Sequence, residues 1–294
     1  MHNRAQRLIA IFLICLWPTI ALSGAEEIGR FRWEAEIEGF GGYSGLWVAP
    51  DGGAFMTISD RGTYVKGRFQ RDRQGRISGV EVTEAETIPD KVGNDPESFL
   101  RDAEGLAIRS DGDIFISYES HHRVWAFDTM QTKPRDIHKW NRFWHLQQNS
   151  GMEALAIDAE DVIYTIPERS GRWTRPFPIY RLANGTWDER LKLPRREKFL
   201  VSGADFGPDG RLYVLEREFL WYGGFKTRVR SFVITGDTVS DEREELRTRL
   251  GDLDNMEGIS VRSGPDGQII MTLVSDDNFN VFQSTWFVEY RITP

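Results

Sequence analysis

The stretch Ala103–Glu119 reads AEGLAIRSDGDIFISYE, and its pattern decides the fold. It opens with Glu104 followed by glycine, and the pair Asp111-Gly112 then predicts a tight turn. The run Ile114–Tyr118 is rich in β-branched and aromatic residues, which favour strands, and an acid follows it. The stretch therefore predicts a β-hairpin whose second strand ends on a carboxylate.

The same pattern occurs five times along the chain. The other units also carry Ser or Glu at their second position with a small residue after it: Tyr43–Asp60, Met152–Glu168, Val201–Glu216 and Met256–Asp276. Their first residues lie 60, 49, 49 and 55 residues apart, which is the period of a four-stranded propeller blade. The sequence predicts an all-β, single-domain β-propeller with five repeats counted, and the 60-residue first interval leaves room for a sixth blade.

The two ends of the chain are expected to complete one blade together. Only 18 residues follow Asp276, which is enough for one or two strands. The segment Ile28–Ile37 is placed to supply the missing strand. Pairing it with the C-terminal strand would close the ring and remove exposed strand edges.

The first 25 residues have the features of a secretory signal. Arg4 and Arg7 precede an apolar run, Leu8–Leu22, which ends in small residues. The run is too short to span a bilayer, which needs roughly 20 apolar residues. We therefore predict a signal peptide at residues 1–25, a propeller at 26–294, a periplasmic or secreted location, and no membrane span after cleavage.

Composition restricts the classes of function. The chain has 294 residues, 28% of them charged and 40% hydrophobic, with a formal net charge of −8, which is typical of a soluble globular protein. Without a basic block, nucleic acid is not expected as a partner. The patterns Gly-x-Ser-x-Gly and Gly-x-Gly-x-x-Gly are absent, which argues against a common α/β serine hydrolase and against dinucleotide binding. We expect a monomer.

Several of the repeats resemble a known family. The units EGLAIRSDGDIFISYE and MEALAIDAEDVIYTIPE, together with Ser59–Gly62, Met256–Gly258 and Ser275–Phe279, are similar to a bacterial family described as phytase-like with esterase-like activity. The resemblance covers nearly all of the chain after the signal. It implies a propeller fold, export, and hydrolysis of phosphate or carboxylic esters, with a small anionic or ester substrate.

Equivalent positions of the first strands should converge on the propeller axis. These positions hold Glu104, Glu153 and Glu257, with Ser44 and Ser202 completing the set. Three carboxylates brought together repel one another unless a cation lies among them, and oxygen-only ligands favour Ca²⁺. Two interpretations stay open, because the glutamates could instead bond backbone amides of neighbouring blades.

The acids that end the second strands form another candidate set at one mouth of the channel. They are Asp60, Glu119, Glu168, Glu216 and Asp276, and Asp277 adds a further carboxylate beside the last. Each of the first four has an arginine close by in sequence: Arg61, Arg123, Arg169 and Arg217. We predict Asp60, Asp276 and Asp277 as cation ligands and the four arginines as substrate-binding groups, because guanidinium holds anions in a bidentate grip. Salt bridging between blades is the alternative.

Catalytic roles are assigned to Glu119 and His121. His121 follows the mouth position of its blade, and an imidazole titrates close to neutral pH, so it could act as a general acid or base. Two classes of function remain at this point. The protein is either a metal-dependent ester or phosphomonoester hydrolase, or a non-catalytic propeller that binds a ligand at its mouth with Ca²⁺ serving structure.

Overall fold

The structure is a computed structural model that describes residues 24–91, 101–119, 121–137, 143, 146 and 151–292. The predicted signal peptide lies almost entirely outside these residues, as do His138 and His145. Among the described residues, no helix is long and apolar enough to cross a membrane.

Twenty strands form five four-stranded antiparallel sheets, so the prediction of five blades is confirmed and a sixth blade is absent from the described residues. Blade 1 contains β2 (Tyr43–Val48), β3 (Ala54–Ser59), β4 (Thr63–Arg71) and β5 (Ile77–Thr87). Blade 2 contains β6 (Ala103–Ile108), β7 (Ile114–Tyr118), β8 (Arg123–Phe127) and β9 (Arg135–Asp136). Blade 3 contains β10 (Ala154–Ile157), β11 (Ile163–Ile166), β12 (Phe177–Ala183) and β13 (Thr186–Leu193). Blade 4 contains β14 (Leu200–Phe206), β15 (Leu212–Leu220), β16 (Gly224–Thr235) and β17 (Thr238–Arg247).

Blade 5 joins the two ends of the chain. Its strands are β18 (Asn255–Ser263), β19 (Ile269–Asp276), β20 (Trp286–Ile292) and, outermost, β1 (Glu26–Arg32). β1 pairs antiparallel with β20, from Glu26 opposite Arg291 to Arg32 opposite Trp286. The expected closure by an N-terminal strand is therefore confirmed, with the strand beginning two residues earlier than Ile28 and ending at Arg32.

The turns between first and second strands form as their sequences predict. Gly52, Gly112, Gly210 and Gly267 all have positive φ, which glycine adopts without steric cost. The preceding aspartates bond the backbone of the turn, as when Asp51 Oδ1 accepts a hydrogen bond of 2.8 Å from the Gly53 amide. These aspartates form turns at the end of the hairpin opposite to the mouth acids.

Apolar side chains fill the spaces between neighbouring blades, and the space at the ring closure is aromatic. Trp33, just after β1, is almost fully buried and stacks on Tyr43 of blade 1 with ring centroids 5.0 Å apart. It also packs on Phe287 of blade 5 and Phe55 of blade 1. The N-terminal segment thus closes the ring through side-chain packing as well as through the β1–β20 ladder.

The first strands of adjacent blades approach so closely that only glycine fits at some positions. A Cβ atom on Gly203 of β14 would lie 2.6 Å from the carbonyl oxygen of Glu257 in β18. A Cβ on Gly105 of β6 would lie 2.6 Å from Leu155 Cβ in β10. The small residue after each channel position therefore serves the contact between blades.

Candidate functional site

The channel residues are aimed at the axis by breaks in the strand ladders. In β2, β14 and β18 the pairing with the second strand shifts register across Ser44, Ser202 and Glu257, and in β6 it shifts between Ala103 and Leu106, across Glu104. A β-bulge of this kind re-aims one side chain relative to its neighbours. All five predicted channel residues are buried, and four of them, Ser44, Glu104, Glu153 and Glu257, line one narrow cavity together.

The channel cavity is small. Its volume is about 10 Å³, which is room for roughly one water molecule or one dehydrated ion. The Ser202 hydroxyl is used between blades, since its Oγ donates to the carbonyl oxygen of Met256 over 3.0 Å. Among the residues that the structure describes, the three glutamates are the only ionisable side chains on the walls of this cavity.

Above the channel, the mouth is built from paired positions on the first and second strands. The amide of Glu119 donates to the carbonyl of Asp102 over 2.9 Å, and the ladder places Asn255 opposite Asp276. The same relationship pairs Leu200 with Arg217 in blade 4. The mouth ring therefore consists of four acids and one arginine: Asp60, Glu119, Glu168, Arg217 and Asp276.

The grouping of Glu216 with the mouth acids was wrong by one residue. Glu216 pairs with Val201, and consecutive strand residues point to opposite faces, so its side chain lies on the other face of the sheet from Arg217. There its carboxylate is fully buried and accepts hydrogen bonds from Arg228 and Arg230 of β16. The repeat contained the signal, because Glu119 and Glu168 each stand 16 residues after the start of their units, and in blade 4 that offset is Arg217.

One cluster of acids has the spacing of a cation site. Carboxylate oxygens of Asp102, Glu104 and Glu119 lie within 4.8 Å of one another. Ca²⁺–oxygen distances are about 2.3 to 2.6 Å, so two ligands on opposite sides of an ion are roughly 5 Å apart. Glu104 was predicted as a ligand and Glu119 as a catalytic group, and the structure brings both to the same point.

Burial and mutual repulsion raise the pKa of several of these acids. The pKa of Glu104 is raised well above its usual range by burial and then by the charges of Glu153 and Glu257. The pKa of Glu153 is raised by burial and by the charges of Glu119 and Glu168, against the attraction of Arg217. Negative charge is therefore in excess here, and a bound cation would relieve it.

Glu119 and Glu153 are linked directly. Burial raises the pKa of Glu119 to about 7, although a hydrogen bond with Glu153 and one from the Gly151 amide oppose the rise. Two carboxyl groups can share a hydrogen bond only when one of them holds a proton. Glu119 therefore changes its charge close to neutral pH.

Asp60 and Asp276, in the neighbouring blades 1 and 5, belong to the same electrostatic cluster. Burial and then the charge of Glu257 raise the pKa of Asp60 to about 6 and that of Asp276 to about 8. Asp276 accepts hydrogen bonds from the Asn278 amide at 2.6 Å and from Asn255 Nδ2 at 3.4 Å. Both predicted ligands thus face the channel glutamates.

Arg217 lies among these acids instead of on the surface. It donates hydrogen bonds to Glu257, to Asn255 Oδ1 at 2.6 Å and to Glu168 Oε1 at 3.4 Å. Burial lowers its pKa, but the charges of Glu257, Glu153, Glu168 and Glu104 outweigh burial and raise it overall. Arg217 is the internal counterion of the channel, and its assignment to substrate stays a prediction.

Asp277 takes part in a turn at the junction of blades 5 and 1. Its Oδ1 accepts hydrogen bonds from the amides of Gly42 and Phe279 at 3.1 and 3.0 Å, and its Oδ2 accepts one from Thr285 Oγ1 at 3.3 Å. These bonds occupy both carboxylate oxygens. The assignment of Asp277 as a cation ligand stays a prediction.

The remaining three predicted arginines differ in exposure. Arg61 is exposed and stacks on the ring of Phe279, with 3.1 Å between its Cζ and the ring centroid. Arg169 is half-exposed and pairs with Glu168 over 2.9 Å. Arg123 is buried between the rings of Tyr118 and Trp125, at 3.8 and 4.2 Å. Only Arg61 and Arg169 of the predicted four offer their guanidinium groups to solvent.

The adjacent residues His121 and His122 also differ in exposure. The predicted catalytic residue His121 is exposed, whereas His122 is buried and packs against Gly151. The catalytic role of His121 stays a prediction.

Asp102 and Asn255 are site residues that the sequence reasoning missed. Both stand two positions before a channel glutamate, Glu104 and Glu257 respectively. The position two residues before each channel residue holds Gly42, Asp102, Gly151, Leu200 and Asn255 in the five units. A carboxylate and an amide at this otherwise non-polar position are the sequence signal for these two residues.

Comparison with known proteins places this site in a family. A family model described as "Phytase-like: Esterase-like activity of phytase" matches residues 38–279. The chain belongs to this phytase-like family. The matched range includes every residue of the channel and mouth sets, and β1 and β20 are the two of the twenty described strands that lie outside it.

Solved structures share the fold of this phytase-like chain at low sequence identity. An α-L-arabinofuranosidase from Podospora anserina, in complex with cellotriose, is 10% identical over 92% of this chain and 96% of its own, with a TM-score of 0.52. A protein of unknown function from Dyadobacter fermentans is 9% identical over 92% and 100%, with a TM-score of 0.51. The calcium-binding protein regucalcin from Agrobacterium tumefaciens is 11% identical over 86% and 91%, with a TM-score of 0.49. No curated protein matches the sequence of this chain significantly.

Proposed function

We propose that the protein is an exported, cation-dependent hydrolase of phosphate or carboxylic esters, with its substrate bound at the mouth of the channel. The observation that carries the proposal is the cluster of Asp102, Glu104 and Glu119, whose oxygens have the spacing of ligands around one Ca²⁺. Membership of the phytase-like family supports ester hydrolysis as the reaction class.

The excess of negative charge supports a bound cation. Eight carboxylates belong to the channel and mouth: Asp60, Asp102, Glu104, Glu119, Glu153, Glu168, Glu257 and Asp276. Among the described residues, Arg217 is the one buried cation bonded within this set. A single guanidinium cannot balance eight carboxylates, and the raised pKa values of Glu104 and Glu153 express the imbalance.

In this proposal each part of the site has a separate task. Bound Ca²⁺ would supply polarisation of an ester or phosphoryl oxygen. Glu119 is one of the three carboxylates that would hold this ion, together with Asp102 and Glu104. Arg61 and Arg169, the exposed arginines of the mouth, are placed to hold an anionic substrate.

The proposal is tested by metal content and turnover. The purified protein is assayed with p-nitrophenyl acetate and p-nitrophenyl phosphate, with Ca²⁺ and then with EDTA. We expect turnover of at least one substrate that EDTA abolishes, and Glu104→Gln should abolish it as well. Glu38→Gln, which removes the same charge from an exposed position, is the matched control. Turnover that is absent, or indifferent to both EDTA and E104Q, would reject the proposal.

A second candidate function is favoured by a groove beside the mouth. The groove has a volume of about 830 Å³ and an apolar lining that includes Phe219, Phe225, Met256 and Trp286. Its polar groups bond one another, as when Arg30 Nη1 donates to the carbonyl of Asp252 over 3.0 Å. We propose, as the alternative, binding of a neutral apolar small molecule without turnover.

The two candidates give different results in one pair of measurements. If the protein is a binding propeller, it should bind the apolar dye Nile red and hydrolyse neither ester. The variant Phe282→Ser should then bind the dye more weakly. Phe282 lines the groove and is exposed, so this variant should fold normally. Dye uptake that F282S leaves unchanged would reject the groove as the binding site.

Export is proposed from the N-terminal pattern. The charged start and apolar run of residues 1–25 support cleavage after Ala25 and a periplasmic or secreted monomer. Expression in a Gram-negative host followed by fractionation and N-terminal sequencing should find a chain that begins at Glu26. An uncleaved chain in the cytoplasm would contradict it.

A further inference from the structure

A second, positively charged pocket opens between blades 3 and 4. It has a volume of about 270 Å³ and is lined by Arg169, Gly171, Arg172, Trp173, Arg195 and Leu200. Leu200 stands opposite Arg217 in the ladder, so the pocket adjoins the mouth of the channel. The described residues on its walls include three arginines and no carboxylate, which is a local reversal of charge in a chain whose net charge is −8.

Arg195 is held at the pocket with spare capacity for hydrogen bonding. Its Nη1 donates to Ser170 Oγ over 3.0 Å, and its guanidinium lies 4.6 and 4.7 Å from the ring centroids of Trp173 and Phe177. Its Nε is buried and has no hydrogen-bond partner within the described part of the chain. No carboxylate among the described residues forms an ion pair with Arg195, and Glu216 and Glu168 attract its charge only from beyond ion-pair distance.

The surrounding arginines add to this charge. Arg172 is exposed and likewise forms no ion pair among the residues that the structure describes, and Arg169 shares its one partner, Glu168, with Arg217. Arg175 Nη1 lies 3.4 Å from the position of a Cβ on Gly171, so a fourth guanidinium borders the same loop. Guanidinium groups bind phosphate and carboxylate oxygens in pairs, and several together make a site for an oxyanion.

Trp173 adds an exposed aromatic surface beside the arginines of this pocket. Arg195 stacks at its ring, yet 63% of the tryptophan is exposed, which is unusual for so large an apolar side chain. An exposed indole beside guanidinium groups offers a flat apolar surface to a ring while the arginines hold a charge attached to that ring.

We propose that this pocket is a subsite for an oxyanion, phosphate or carboxylate, carried on a ring, and that Arg172, Arg195 and Trp173 recognise it. The inference rests on the proposed function only in treating this ligand as part of the substrate. Binding itself requires neither the channel cation nor turnover, so the subsite can be tested separately.

The test is calorimetric titration of the mature protein in EDTA at low ionic strength. The probes are glucose 6-phosphate and glucuronate, which separate phosphate from carboxylate, with glucose as the uncharged ring and inorganic phosphate as the anion without a ring. We expect at least one charged sugar to bind, glucose not to bind, and added salt to weaken binding because the contact is ionic.

Two exposed substitutions distinguish the subsite from general attraction. Arg172→Gln should weaken binding of the charged sugar roughly tenfold or more, since a charge-assisted hydrogen bond contributes about 1.5 to 3 kcal/mol. Trp173→Ala should weaken the charged sugar but leave inorganic phosphate unchanged. The matched controls are Arg73→Gln and Trp221→Ala, an exposed arginine and an exposed tryptophan outside this pocket, and both should bind as the unchanged protein does.

The outcomes separate the subsite from the hydrolase. If no charged sugar binds at millimolar concentration, or if R172Q and R73Q weaken binding equally, the subsite is rejected while cation-dependent turnover of p-nitrophenyl acetate can still stand. If the variants behave as expected and that turnover is absent, the subsite stands and the proposed reaction falls.

Discussion

Arg217 of blade 4 donates a hydrogen bond to Oε1 of Glu257 in blade 5, so that a cation of the protein itself occupies one side of an acidic channel. The same guanidinium reaches Glu168 of blade 3, and it therefore ties three consecutive blades together. The site therefore has two sides. On one side Arg217 neutralises the acids, and on the other, around Asp102, Glu104 and Glu119, an added cation would be stabilising.

Removing the internal cation should destabilise the protein. Arg217→Gln leaves Glu257 and Glu168 without their shared partner, and breaking a buried ion pair in this way costs about 3 to 5 kcal/mol. We expect a clear fall in Tm in EDTA at pH 8, and a smaller fall in the double variant R217Q/E257Q, because the unpaired charge is then gone. A double variant less stable than R217Q would contradict this account of the pair.

Ca²⁺ should stabilise the folded protein through the other side of the channel. A ligand bound only by the folded state adds about 2.7 kcal/mol at a hundredfold excess over its Kd. We expect Ca²⁺ to raise Tm and EDTA to reverse the rise. Glu104→Gln should abolish the rise without lowering Tm in EDTA, because it removes charge from a repulsive cluster. If Tm in EDTA falls in E104Q and Ca²⁺ has no effect on either protein, the glutamates serve to hold the blades together.

The acid cluster should also make stability depend on pH. Asp60, Glu119 and Asp276 have raised pKa values of about 6, 7 and 8, so the folded chain binds their protons more tightly than the unfolded chain does. Their contribution to stability is complete below about pH 4 and is lost as pH rises through 6 to 8. Glu119→Gln mimics the protonated form, and in EDTA we expect it to match the unchanged protein at pH 4 and to exceed it at pH 9 by roughly 1 to 3 kcal/mol. Urea titrations at the two pH values measure this, and a difference independent of pH would refute it.

Ring closure should depend on Trp33. Trp33→Ala leaves a cavity against Tyr43, Phe55 and Phe287, and such a truncation costs about 3 to 5 kcal/mol. Trp221→Ala, at an exposed tryptophan, should change stability by less than about 0.5 kcal/mol. Denaturant unfolding of the two variants compares them directly. Equal stability would show that the β1–β20 ladder closes the ring without the aromatic contacts.

Much of the site could be predicted because the repeat specifies it. The offset of Glu104, Glu153 and Glu257 within their units placed them at equivalent positions, and the propeller brings equivalent positions to one axis. Asp60, Glu119 and Asp276 followed from the ends of the second strands in the same way. The alternation of strand faces explains the miss at Glu216, because a slip of one residue turns a side chain to the other side of the sheet.

The amino-acid sequence by itself determined the all-β class, the count of five repeats, the turn positions and the closing strand, because these depend on local periodicity and on repetition at a fixed interval, whereas the structure excluded a sixth blade from the described residues. Only the tertiary structure decided the charge of the site. Three contacts decide it: Arg217 meets Glu257, Asp102 joins Glu104 and Glu119, and Arg195, in the connection between blades 3 and 4, meets Trp173. Each joins side chains from different strands or connections of the fold. Their outcome depends on strand register, on bulges and on distances of a few ångströms, and none of these is encoded in the spacing of residues along one unit.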